Sequence, residues 1–585
     1  MSDLKISLPL NPTPLIRRAA DLLRRGLEER GARINPACQL RLELDPALGP
    51  EGFRLTTLPG GVRIAGRDER GVLYGVGKFL RHVQTEGERV LGSDWTGESV
   101  PAKPVRGMYF ASHFHNVYHD APLDLVVRYV EDLALWGCNA LSVWFDMHHY
   151  QGIDDPAAQA MIARLRAILQ AAEAVGMRSA LTTLANEGFA DTPAALKADW
   201  TSGHDGYFRD PGGHYHCEIC PSKPGGLELI LHERQQVFDA FRDLNLGFVW
   251  LWPYDQGGCT CRDCAPWGTN GFLRTCEAII PLVHQYFPQA KTVLSTWYFD
   301  RFVKGEWEGL AQRFAGAPPA GVDVLMIDDF GGFPEYPLQH GVPGGLPVVG
   351  FPEISMEGNG PWGGFGANPR PQHWGTYWGK VKHLLQGSFP YSEGIYEDLN
   401  KVLILQLEWA PERAVDDIVR EYATGAFGPA AAEPVLQAVR WLEGDGALHT
   451  GYAPGGPTFR TGALAHAGES LVVLEALAAT LPSRILTSWR WRLLWLRAAI
   501  TAELKQSGGA MTDRLDGYFE ELASIYHAGQ AERAVCPPSR QACRRLLGDT
   551  ARHGSVAALK LRHQDPDVAE APGGGRRSVL LSPCR

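Results

Sequence analysis

From Val105 onward, short apolar runs alternate with stretches whose apolar residues recur at helical spacing. The runs are VRGMYFAS, ALSVWFDM, RSALTTLAN, FVWLWPYD, TVLSTWYFD, VDVLMIDD, PVVGFPEIS and GSFPYSEGIYED. LDLVVRYVEDLALWG and GLELILHERQQVFDAFRDL are typical of the segments between them. Short apolar runs alternating with amphipathic helices mark βα units around a parallel sheet. Eight runs within about 295 residues predict a (β/α)8 TIM barrel over residues 101–405. The sixth connection, rich in Pro and Gly, predicts an irregular loop in place of a helix.

The flanks have other rhythms. Residues 13–30 predict an amphipathic helix with basic outer positions. CQLRLELD and GFRLTTLPGGVRIAG alternate as strands do, with Pro-Gly-Gly as a turn. DERGVLYGVGKFLRHVQ predicts a second helix, completing a small α/β domain over residues 1–100. Beyond Asn400, APERAVDDIVREYATGAFG, AAAEPVLQAVRWLEG and SRILTSWRWRLLWLRAAITAEL predict a helical C-terminal domain over residues 406–563. Residues 564–585 are Gly/Pro-rich and aperiodic, and are expected to be a disordered tail.

Composition narrows the partners. Apolar residues at 45% and charged residues at 21% are those of an ordinary globular chain. The net charge of −10 argues against nucleic acid. No apolar run of about 18 residues and no apolar leader is visible, so no membrane partner is expected. A cytoplasmic location with reduced thiols is the expectation for the eleven Cys. Seventeen Trp and eighteen Tyr suit carbohydrate stacking, although most are expected to fill the core.

Barrel active sites lie at the C-terminal ends of the strands. Here those ends carry His113, His115, Asp146, Glu187, Asp255, Asp328, Asp329, Glu353 and Glu393. Of the aromatics nearby, Trp252, Tyr254, Trp297, Tyr298, Trp362, Tyr391 and Tyr396, one or two would wall a pyranose ring. Asp328 and Asp329 are adjacent, and neighbours on a strand face opposite sides. Either the strand has ended and both reach one pocket, or one lines the barrel and the other faces a helix. In the first case their proximity would split their pKa values into an acid and an ionised partner.

Cys217 and Cys220 precede the third helix, and Cys259, Cys261 and Cys264 follow the fourth strand. The spacing fits a structural zinc, with free thiols or a disulfide as the other readings. Four sulfur ligands would leave no open position, so catalysis is expected to need no cofactor. His113 and His115 with Asp146 could hold a catalytic metal, but hydrogen bonding to sugar hydroxyls is the preferred reading.

DERGVLYGVGKFLRHV and PVRGMYF resemble glycoside hydrolase families 20 and 67. So do AVGMRSALTTLANEGF with the following CPSKPGGLELIL, and FVWLWPYDQGGC. The likeness spans roughly residues 40–430. Family 20 ends its fourth strand in an Asp-Glu pair, with Glu as the acid. The matching positions here are Asp255 and Gln256, and an amide cannot supply that proton. Asp328 and Asp329 look like the Asp-Asp pair of family 84, although that family carries it on strand four. Family 67 has an acid on strand four and carboxylates on strands six and seven, where this chain has Asp255, Asp328 or Asp329, and Glu353. The resemblance implies a β-N-acetylhexosaminidase releasing terminal GalNAc or GlcNAc by a substrate-assisted, retaining mechanism. An inverting α-glucuronidase-like enzyme, with Asp255 as acid and Asp328 or Glu353 as base, is the second reading. A metal-dependent barrel hydrolase and a non-catalytic sugar-binding protein stay open, as does homo-oligomer formation.

Overall fold

The computed structural model describes residues 6–32, 38–112, 116–199, 217–254, 258–300, 303–329, 332–355, 368–445, 448–453, 456–460, 464–526 and 528. The chain opens with a five-stranded sheet in the order Ile6–Ser7, Gln39–Leu44, Gly61–Gly66, Phe53–Leu58, Gly97–Ser99. Leu58 pairs with Gly61, so Pro59 and Gly60 form the hairpin turn, with Gly60 in the left-handed region at φ 74°. Helix Glu69–Arg81 packs on this sheet, and helix Pro14–Glu29 packs on that helix. Helix Pro14–Glu29 starts where Thr13 caps the amide of Ile16 and Pro14 presets the first turn. Its Ile16, Ala19, Ala20, Leu22, Leu23 and Leu27 recur on one buried face.

The predicted barrel is present and closed. Its strands are Gly107–Phe110, Ala140–Trp144, Arg178–Leu184, Leu246–Trp252, Lys291–Ser295, Val324–Asp329, Val348–Pro352 and an eighth in two segments, Leu385–Ser388 and Tyr391–Ser392. All neighbouring pairs are parallel. The two segments of the eighth strand explain the closure. Leu385 and Ser388 pair with the seventh strand, whereas Tyr391 and Ser392 pair with the first. Pro390, lacking an N–H, sits at the switch, and its carbonyl accepts from the Tyr109 amide at 3.1 Å.

Alternate residues of the fourth strand fill the lumen. Phe248 and Trp250 meet Phe389 of the eighth strand, with ring centroids 5.6 and 4.8 Å apart. Trp252, one layer higher, meets Phe351 of the seventh at 5.0 Å. The barrel is thus a packed aromatic column up to its C-terminal rim.

Helices Leu123–Leu135, Pro156–Ala174, Gly226–Phe241, Gly271–Tyr286, Glu306–Arg313, Glu335–His340, Pro371–Val381 and Asp398–Trp409 follow the strands in turn. The sixth connection therefore holds a short helix where an irregular loop was expected. Pro337 falls in its first turn, where a missing N–H costs nothing, and Gly341 ends it at φ 81°. Helices Val415–Phe427, Ala432–Gly444, Ala467–Ala478, Trp489–Ser507 and Asp513–Tyr526 build the C-terminal part. Asp398 ties it to the barrel, accepting from Tyr129 Oη at 2.9 Å, Tyr422 Oη at 2.8 Å and Arg490 Nε at 2.8 Å. No helix among the described residues is long and apolar enough to cross a membrane. The expected tail at 564–585 lies outside the described residues.

Candidate active site

The register of the sixth and seventh strands sorts the two adjacent aspartates. Asp328 pairs with Phe351, and Asp329 with Pro352. The Phe351 ring packs against Tyr109 at 5.2 Å, Trp252 at 5.0 Å and Trp297 at 5.8 Å, from three other strands or strand ends. Phe351 therefore faces the lumen. Ladder partners share a face of the sheet, so Asp328 faces the lumen and Asp329 faces the helices. The charges acting on Asp329 agree: they are Lys380 and Arg370, in and just before helix Pro371–Val381. Burial pushes its carboxyl up to about 7 against their pull.

Glu353 follows the seventh strand and bridges to Tyr391. The Tyr391 ring stacks on Tyr109 at 5.7 Å, which gives Glu353 the lumen face as well. Asp328 and Glu353 are 6% and 5% exposed. From the eighth strand, Glu393 joins this side. Its Oε1 accepts from Tyr391 Oη at 2.9 Å, and its amide donates to Ser355 Oγ at 3.0 Å.

Strands two and three contribute a second polar group. Glu187 accepts from Trp144 Nε1 at 3.2 Å and from the His148 amide at 3.2 Å, and shares a 2.6 Å hydrogen bond with His148 Nδ1. Burial holds the Glu187 carboxyl well above the usual range, Arg234 opposes this, and the Asp146 charge adds to it. Asp146 contacts His149 Nδ1. One ligand atom each from Asp146, His148 and His149 lies within 4.8 Å of the others, an arrangement that a small cation could use.

The aromatic candidates separate. Trp252 and Trp297, 5.3 Å apart, form the lumen floor with Phe351, and Tyr298 stacks on Trp297 at 4.5 Å. Tyr254 and Tyr396 differ from the expected sugar-facing role. The Tyr254 hydroxyl donates to Glu306 Oε1. The Tyr396 hydroxyl donates to the Leu522 carbonyl, and its ring meets Tyr526 at 5.1 Å, so it joins the barrel to the C-terminal helices.

The turn after the fifth strand is strained. Tyr298 and Asp300 adopt φ of 62° and 61°, values that bulky residues rarely hold. Glu306 keeps the turn in place: it accepts from the Gly268 amide at 2.8 Å and the Asp300 amide at 3.2 Å, besides Tyr254. Its carboxyl is pushed up to about 7 by burial. Glu306 was not foreseen; its only sequence signal is a carboxylate opening a helix. Arg234 was missed too. It is fully buried and donates to the carbonyls of Leu184 at 2.7 Å and Glu187 at 2.5 Å, steadying the end of the third strand.

Asn186 staples the third and fourth loops. Its Nδ2 donates to the carbonyls of Ile219 and Gly258, both at 2.9 Å, and its Oδ1 accepts from the Gly258 amide at 2.7 Å. Beyond this staple, the sulfurs of Cys220, Cys259, Cys261 and Cys264 lie within 4.8 Å of one another. Cys217 stands apart, its Sγ 4.0 Å from the His148 carbonyl. Asp255, His113, His115 and Trp362 lie outside the described residues.

An apolar aromatic floor rimmed by carboxyls suits a sugar: ring C–H groups stack below while hydroxyls donate to the carboxylates. No family model matches the chain, and no curated protein matches it by sequence. Among solved structures, the chain is similar in fold to a GH138 enzyme targeting pectin rhamnogalacturonan II. The TM-score is 0.57 at 10% identity, over 97% of this chain and 76% of that one. It is also similar to a family GH115 4-O-methyl-α-glucuronidase with specificity for decorated arabinogalactans, with TM-score 0.55 at 11% identity over 91% and 77% of the two chains. The GH20 β-N-acetylhexosaminidase from Streptomyces coelicolor A3(2) superposes with TM-score 0.49 at 15% identity, over 74% of this chain and 92% of that one. The chain therefore shares its (β/α)8 barrel fold with the first two of these enzymes.

Proposed function

We propose that the chain is a glycoside hydrolase releasing a terminal β-linked N-acetylhexosamine, GalNAc or GlcNAc. The observation that carries the reading is the lumen face shared by Asp328 and Glu353 above the floor of Trp252, Trp297 and Phe351. Asp255, next in sequence after Tyr254 at the end of the fourth strand, is the proton donor in this scheme. Asp328 holds the substrate's acetamide, whose oxygen bonds the anomeric carbon as the leaving oxygen takes the proton of Asp255. Water then opens the cyclic intermediate and returns a proton to Asp255, with retention. Asp329, turned to the helices, has no part. The carboxyls of Asp146, Asp328, Glu353 and Glu393 near the rim favour a neutral sugar over an anionic one.

A second reading has support from the carboxyls at the ends of strands six and seven. There Asp328 or Glu353 activates a water, and an α-glucuronidase-like enzyme inverts. A panel of p-nitrophenyl glycosides separates the two. Cleavage of β-GalNAc or β-GlcNAc, with inhibition by a thiazoline mimic of the acetamido intermediate, supports the first. Cleavage of the α-glucuronide alone overturns it.

A further inference from the structure

We propose that Cys220, Cys259, Cys261 and Cys264 bind one structural Zn2+ that clamps the third and fourth loops together at the rim of the barrel. The distances carry it. Zinc–sulfur bonds of about 2.3 Å set the edge of a tetrahedron of sulfurs at about 3.8 Å. Cys220 Sγ lies 3.7 Å from Cys261 Sγ and 3.9 Å from Cys264 Sγ. The distances exceed the ~2.05 Å of a disulfide by far, and all four sulfurs share one cluster.

The surroundings are those of a metal knuckle. Cys220, Cys259 and Cys264 are buried and Cys261 is partly so, which shields the thiolates from water. Ser222 Oγ lies 3.1 Å from Cys264 Sγ, and Arg274 reaches the same sulfur at 4.0 Å and Ser222 Oγ at 3.0 Å. A hydroxyl and a cation around the sulfurs offset the negative charge of a tetrathiolate. Binding Zn2+ forms four Zn–S bonds and releases four thiol protons to solvent.

The ligand set departs from the simplest reading of the sequence. Cys217 and Cys220 look like a matched pair, but only Cys220 reaches the cluster; the other three ligands come from the loop after the fourth strand. The site adds a second clamp beyond Asn186, on the loop that leaves Tyr254. The four sulfurs close the tetrahedron, so the metal holds the rim in place and takes no part in catalysis.

Metal analysis of the full chain, purified without chelators, tests this. One zinc per chain is expected. Cys220→Ser and Cys264→Ser are expected to lose it, and Cys217→Ser to keep it. Should the first two variants fail to fold, cobalt substitution of the wild-type chain decides. A tetrahedral tetrathiolate spectrum, with intense sulfur-to-cobalt charge-transfer bands, supports the site. Folded chain without metal, loss of zinc in Cys217→Ser, iron in place of zinc, or a mass lower by the hydrogens of disulfides would each overturn it.

Discussion

Asp328 and Asp329, adjacent in the chain, face opposite sides of the sixth barrel strand. The split makes a prediction about pH. Burial raises the folded pKa of Asp329 to about 7, above the ordinary value of 3.8. The folded chain thus binds this proton more tightly than the unfolded one. Its contribution is largest at low pH and falls as pH rises from about 4 to about 7, then levels off. Asp329→Asn removes that loss, so its urea midpoint relative to wild type should rise between pH 4.5 and pH 7.5. An unchanged difference would place Asp329 in water.

Arg234 is predicted to be a positioning residue for the third strand end. Replacing it with Leu strands the buried carbonyls of Leu184 and Glu187. A loss of about 3 kcal/mol of unfolding free energy is expected, since each charge-assisted bond carries about 1.5–3 kcal/mol. Denaturant titration of the variant checks it.

The tyrosines and tryptophans should divide by face. Tyr396→Phe removes the bond to the Leu522 carbonyl. It should cost about 1 kcal/mol of stability and leave KM unchanged. Trp297→Ala should raise KM at least tenfold, as a stacked sugar loses its floor. Equal effects on KM would refute the division.

Much of this was legible in the sequence. Most barrel strands announced themselves as short, mainly apolar runs, because strands covered on both faces carry little polar alternation; the eighth, Leu385–Ser388 and Tyr391–Ser392, is the exception. The polar residue ending each run marked the rim for the same reason. What the pattern does not carry is contact between distant segments. Which of Asp328 and Asp329 faces inward depends on their register against Phe351. Glu306 finds Tyr254 52 positions away, and no local motif announces that meeting. Cys217 and Cys220 share a spacing but not a place, because Asn186 anchors Ile219 between them and only Cys220 turns to the other loop.

The central claim is that Asp328, not Asp329, acts on the sugar. Its most direct test is the steady-state kcat of Asp328→Asn and Asp329→Asn on whichever p-nitrophenyl N-acetylhexosaminide the wild type cleaves. Loss of a carboxylate at the reacting centre costs on the order of 10²–10⁴ in rate. The account predicts a fall of that size for Asp328→Asn and a change within about threefold for Asp329→Asn. Equal losses in both variants, or a larger loss in Asp329→Asn, would contradict it.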